Sequence, residues 1–209
     1  MSDFFFIEHE FKSSNRHLVS CFKNTGNHTY LNVNFTRFFI LQNAAIAASK
    51  FTGAGDLVAR VNGEVTVSGD HIVIETPGYL FKDEIVSSYN KGIIGDLSYI
   101  DGCSNTNLIN PPRNGDPCMN YLYFPPGVSQ QFHTHPSVRI GLVVDGSGIA
   151  CTPTGEIPLV AGKCFYLDRH VLHGFKTTVD SLSIVVFHPD SDAGPKDELN
   201  PMKTRTYLT

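Results

Sequence analysis

Apolar positions along the chain fall in short runs rich in Val, Ile, Phe and Tyr, separated by clusters containing Gly and Pro. Many of the runs alternate apolar with polar residues, the period that gives a strand one buried face and one wet face. The pattern predicts strands over 57–60, 64–67, 71–75, 120–124, 131–135, 139–144, 148–152, 164–167 and 181–187, with a further one in the opening MSDFFFIEHEF. Sustained helical periodicity is nearly absent, and short helices are expected only over 43–50 and 83–90. The 18 glycines and 12 prolines act as punctuation, so the reading is an all-β sandwich or barrel.

A weak internal echo runs through this pattern. VNGEVTVSGDHIVIETPG from Val61 has the rhythm of VDGSGIACTPTGEIPLVAGKCFYLDRH from Val144, a strand ending at Gly, a second strand, a Gly and an apolar strand. The polar, proline-bearing DGCSNTNLINPPRNGDP over 101–117 reads as a loop and boundary. Three segments are therefore expected: a β-rich 1–100, a second unit over 101–189, and an irregular tail over 190–209, which is polar and contains Pro.

Composition narrows the class of partner. At 209 residues with 41% hydrophobic content the chain can fill a core, and its formal charge of −4 comes with lysines and arginines scattered singly. No basic stripe offers itself to a nucleic-acid backbone, so a small-molecule or protein partner is expected. The run from Phe38 is interrupted by Gln42 and Asn43 and is too short to cross a bilayer. Five cysteines without C-x-x-C spacing indicate neither a disulfide framework nor a thiolate zinc site, and the expectation is reduced thiols in the cytoplasm.

The candidate chemistry lies in GVSQQFHTHPSVRIGLVVDGSG, 127–148. In extended backbone His133 and His135 point the same way, and Arg139 and Gln131 share their parity. Two imidazoles at i and i+2 can clasp one divalent metal, with a third ligand supplied by another strand. His173 and His170, beyond the apolar KCFYL, are the candidates. The other histidines, His71 among them, read as surface or hydrogen-bonded residues.

This stretch resembles the first signature of the cupin superfamily, G-x5-H-x-H-x3-E-x6-G: Gly127, His133, His135 and Gly146 fit every spacing, and Arg139 stands where glutamate is usual. GKCFYLDRHVLHGF from Gly162 is similar to the second signature, with Asp168 in place of proline and His170 in place of glycine. The resemblance covers roughly 120–187. It implies a double-stranded β-helix, the cupin or jelly-roll barrel, with the N-terminal half as a degenerate second cupin half (a bicupin). It implies His133, His135 and His173 as metal ligands, with Fe(II) favoured and Zn, Mn or Ni as alternatives. An arginine cannot ligate a metal, and a guanidinium held near a dication calls for an anion. That anion is a protein carboxylate such as Asp145 or Asp168, or the carboxylate of a ligand gripped in bidentate fashion.

The expected function is that of a metal-dependent cupin acting on a small carboxylate-bearing metabolite, with dioxygenase chemistry first and isomerase or lyase chemistry next. Arg139 and Gln131 would bind substrate, while Tyr123 or His170 would handle a proton. The alternative is a non-catalytic sensing cupin, like the ligand-binding half of sugar-responsive regulators; with no DNA-binding segment in view, catalysis is favoured. A homodimer is expected, with the N-terminal strand closing a neighbour's sheet edge.

Overall fold

The computed structural model describes residues 4–12, 20–31, 35–77, 84–113 and 115–190. Sixteen strands and a single 3-10 turn make up the regular structure of these residues, so the all-β expectation holds. They are β1 Phe4–Phe6, β2 Glu10–Lys12, β3 Ser20–Asn24, β4 Asn27–Tyr30, β5 Phe35–Ala48, β6 Thr52–Val61, β7 Val65–Pro77, β8 Ile85–Ser88, β9 Leu97–Ser98, β10 Ser104–Ile109, β11 Cys118–Phe124, β12 Arg139–Thr152, β13 Gly155–Val160, β14 Cys164–Leu167, β15 Gly174–Lys176 and β16 Leu182–His188.

Two antiparallel sheets result. One runs β2-β3-β7-β5-β6-β8, with β4 on β7; the other runs β1-β14-β12-β16-β11-β10-β9, with β13 and β15 on β12. Alternation along the long strands gives each sheet two apolar faces. Phe38 and Ile40 of β5 meet Tyr121 of β11, Ile140 of β12 and Phe187 of β16 in a core between the sheets, where the Phe38 and Phe187 rings lie 4.9 Å apart. The opposite parity, Phe39, Leu41 and Val73, packs a second core on the far side of the first sheet. On the far side of the other sheet Phe124, Phe165, Phe175 and Leu182 form a third.

The opening segment belongs to both sheets. Phe4–Phe6 pair with Phe165–Leu167, and Phe11 pairs with Cys21. Phe5, Phe11 and Tyr166 form an aromatic cluster over this join, with centroids 4.3 to 5.2 Å apart. The N-terminal strand thus closes an edge of its own chain.

Several expectations are corrected. Residues 43–48 belong to β5, not to a helix: Ala44 and Ile46 are buried while Ala45 and Ala47 are exposed, and Ala45 and Ile46 pair with Ser68 and Val67. Cross-strand packing overrides the helix propensity of an Ala-rich run. Within the expected helix over 83–90, Ile85–Ser88 form β8, paired with Leu57–Arg60; residue 83 lies outside the described residues. Where two strands were expected over 139–144 and 148–152, one bent strand runs through Gly146 (φ +72°). A Cβ at Gly146 would lie 1.9 Å from the Ser181 carbonyl oxygen, so the bend requires glycine. The expected tail falls, beyond Asp190, outside the described residues.

Candidate metal centre and cavity

His133 and His135 do not sit in a strand, as was expected; they occupy an extended loop before β12, pinned by an isolated bridge to the loop before β15. His133 N donates to His173 O at 2.9 Å and His173 N to His133 O at 3.0 Å. His170 N donates to His135 O at 2.8 Å, fixing the second histidine. The i, i+2 geometry therefore survives without a ladder on both sides, because two hydrogen-bonded crosslinks hold the loop.

One ring nitrogen from each of His133, His135 and His173 lies within 4.8 Å of the other two. Ring centroids are 4.5 Å apart for His133 and His173, 5.0 Å for His133 and His135, and 5.1 Å for His135 and His173. The Nδ1–H of His133 faces Gln131 O at 3.0 Å and that of His173 faces Val171 O at 2.8 Å, which leaves Nε2 of each ring as an acceptor. His173 is 1% exposed and its Nε2 has no hydrogen-bond partner. Burial pushes its pKa down to about 3; the Val171 carbonyl opposes the shift, and His133, His135 and Arg139 add to it. Three convergent imidazoles, one of them buried with a bare nitrogen, are the donor set a divalent metal takes, so the residues present fit one.

The cluster opens on a cavity of about 910 Å³. Arg139, at the start of β12, is 3% exposed and lines it; Nη1 is anchored on Ser137 O, Ser137 Oγ and Val138 O at 3.1, 2.7 and 3.0 Å. Aromatic and aliphatic side chains from β11, β14, β15 and β16 form the walls. Asp168 accepts from Tyr166 Oη at 3.2 Å, and Asp145 faces Gly92.

Three of the sequence-derived site residues lie elsewhere. Tyr123 is on the β11 face that packs against the first sheet, opposite to the cavity-lining parity of Cys118, Asn120 and Leu122. Gln131 is exposed and serves through its backbone, its N donating to Asp101 Oδ2 at 2.8 Å. His170 is exposed, at φ +60°, and contributes its N–H rather than its ring. Alternation misplaced Gln131 because residue 131 precedes the pinned loop, and Tyr123 because nothing in its strand marks which face meets the other sheet.

No protein-family model matches the chain, and no curated protein matches it by sequence. Among solved structures it is similar to a Pseudomonas aeruginosa protein named for induction by glyoxylate, with TM-score 0.67 and 14% identity over 94% of this chain and 83% of that one. It is similar to a cupin 2 conserved barrel domain protein from Leptotrichia buccalis, with TM-score 0.59 and 13% identity over 90% of each chain. The fold is that of the cupins. The chain is also similar to a salicylate 1,2-dioxygenase from Pseudaminobacter salicylatoxidans, with TM-score 0.62 and 7% identity over 86% of this chain and 76% of that one. Identities this low carry the barrel and nothing finer.

The cupin barrel also brings in residues that the sequence did not single out. Asn105 and Asn107 of β10 and Asn120 of β11 line the cavity, with Phe165, Phe175 and His188. Asn105 and Asn107 share one parity in SNTNLI, a two-residue spacing that was legible as a polar stripe but lay in a stretch read as a loop. No described helix is long and apolar enough to cross a membrane.

Proposed function

We propose that this cupin barrel binds a divalent metal through His133, His135 and His173 and acts on a small carboxylate-bearing metabolite, with dioxygenation as the reaction. The observation that carries the proposal is the bare, buried Nε2 of His173 facing two further imidazoles at the floor of a cavity. A bound Fe(II) would leave open positions for substrate and dioxygen and supply the redox chemistry. The remaining roles belong to the chain. The carbonyls of Gln131 and Val171 fix two ring tautomers, so Nε2 of each ring needs no reorganisation to meet a cation. Arg139, held rigid through Nη1, offers a planar cation to a carboxylate. Leu122, Phe165, Ile184 and Val186 keep the site poor in water, which strengthens both contacts. A neighbour that is a dioxygenase named for a carboxylate, salicylate, supports the reading.

Metal content tests it. Protein purified without chelators is expected to carry near-stoichiometric iron by plasma mass spectrometry, and His135→Ala is expected to lose it. Iron-loaded protein should then consume oxygen with at least one member of a panel of small carboxylic acids. Failure of the wild type to take up Fe, Zn, Mn or Ni would end the metal reading and leave a ligand-binding barrel.

A further inference from the structure

The cavity is larger than a small carboxylate needs, and its polar groups stand at two ends. An acid of two or three carbons fills on the order of 100 Å³, a few water volumes, against about 910 Å³ here. The sheet register shows what occupies the rest. One row of paired residues crosses five strands, Phe165 of β14, Gly141 of β12, Val186 of β16, Asn120 of β11 and Asn107 of β10. The next row includes Ile184, Leu122 and Asn105. Arg139 lies two residues along β12 from Gly141. The asparagines thus stand two to three strands from β12, about 10 to 14 Å across the sheet.

Between the two ends the floor is apolar, made by Ile184 and Val186 of β16, and at the Arg139 end it becomes an aromatic ring. A Cβ at Gly141 would lie 2.2 Å from Cζ of Phe165, so the Phe165 ring lies across the backbone of β12 where any other residue would project. That ring stacks on Phe4 at 5.1 Å and 15°, and Phe175 joins it to His173, with centroids 6.1 and 5.7 Å apart. A planar body fits this floor.

At the far end the amides are partly used. Asn120 Nδ2 donates to Asn105 Oδ1 at 3.0 Å and to Asn107 Oδ1 at 3.1 Å, and Asn105 Nδ2 donates to Asn107 Oδ1 at 3.3 Å. This arrangement fixes the three side chains and leaves Asn107 Nδ2 as a donor and Asn120 Oδ1 as an acceptor for something else. Paired donor and acceptor, with no charge, suit a neutral group that both gives and takes a hydrogen bond.

We infer that Asn105, Asn107 and Asn120 recognise an uncharged hydroxyl at the far end of a flat, apolar-bodied carboxylate whose acid group sits by Arg139 and the histidines. The inference rests on the reading of that end as the carboxylate site. It is tested by calorimetric titration of Zn(II)-loaded protein with acetate, cinnamate and 4-hydroxycinnamate. Cinnamate binds at least about a hundredfold more tightly than acetate, and the 4-hydroxyl adds about tenfold, the worth of one good hydrogen bond. Asn107→Ala, at an exposed position where folding is not at stake, and Asn120→Ala each reduce the hydroxyl preference below twofold and leave cinnamate affinity within twofold. If cinnamate binds but the hydroxyl preference is missing, or persists in both variants, the amide site is refuted and the carboxylate reading stands. If acetate binds and neither aromatic acid does, this inference falls and the carboxylate reading stands; if none of the three binds, the carboxylate reading falls and takes this inference with it.

Discussion

Two buried histidines, one in each sheet's half of the molecule, differ in a single atom. His71 of β7 is 3% exposed and His173 is 1% exposed. Each places Nδ1 at 2.8 Å from the carbonyl two residues earlier, Gly69 for one and Val171 for the other. Burial lowers the pKa of both. The difference is at Nε2, which in His71 meets the Tyr30 hydroxyl at 2.7 Å and in His173 meets no hydrogen-bond partner. Burial and a depressed pKa therefore do not distinguish a structural histidine from a ligand. The uncommitted nitrogen is what sets His173 apart, because leaving it bare costs about 1 to 3 kcal/mol unless something else occupies it.

The sharpest way to break this comparison is to exchange the two histidines for glutamine. His173→Gln is expected to weaken metal binding at least about a hundredfold, read by competition with a chromophoric chelator, while His71→Gln leaves metal binding unchanged. Equal effects would mean that the bare nitrogen is not what binds. Next in size, Tyr30→Phe makes His71 resemble His173 by stripping its partner, and should cost about 1 to 3 kcal/mol in urea unfolding without creating a metal site. The smallest effect concerns pH. A histidine whose folded pKa lies below its ordinary 6.5 contributes stability that is complete above that value and is lost as the pH falls beneath it, because the unfolded chain takes up a proton that the folded one refuses. His71→Asn should make the decline in stability between pH 6.5 and 5 shallower, read from denaturation midpoints; an unchanged slope would place the proton uptake elsewhere.

The same contrast explains what the sequence reveals. The three-histidine cluster is legible because the i, i+2 spacing and the Gly127 and Gly162 signatures are local, and local geometry survives even when the expected strand proves to be a pinned loop. Strands such as 120–124 and 164–167 are legible for the same reason, while β10, in a stretch read as a loop, is not. What is hidden depends on partners distant in sequence. Tyr123 and Asn120 lie three residues apart on one strand, and only the packing of the other sheet decides that the first faces a core and the second a cavity. The Ala-rich end of β5 reads as a helix until Val65–Ser68 is there to pair with it. Nor does the echo between Val61 and Val144 survive as a shared rhythm, since Val65–Pro77 is one continuous strand while 144–167 spans the end of β12, β13 and β14.

The join made by the opening segment bears on how the molecule comes to exist. Phe4–Phe6 find their partners in Phe165–Leu167, about 160 residues later. At the usual pace of translation, this strand waits on the order of 10 to 30 s for its complement to leave the ribosome. Three consecutive phenylalanines pass that interval without a mate, exposed to aggregation unless a chaperone covers them. The long loop that their docking must close also makes it a late, slow event in folding, the opposite of their place in the order of synthesis.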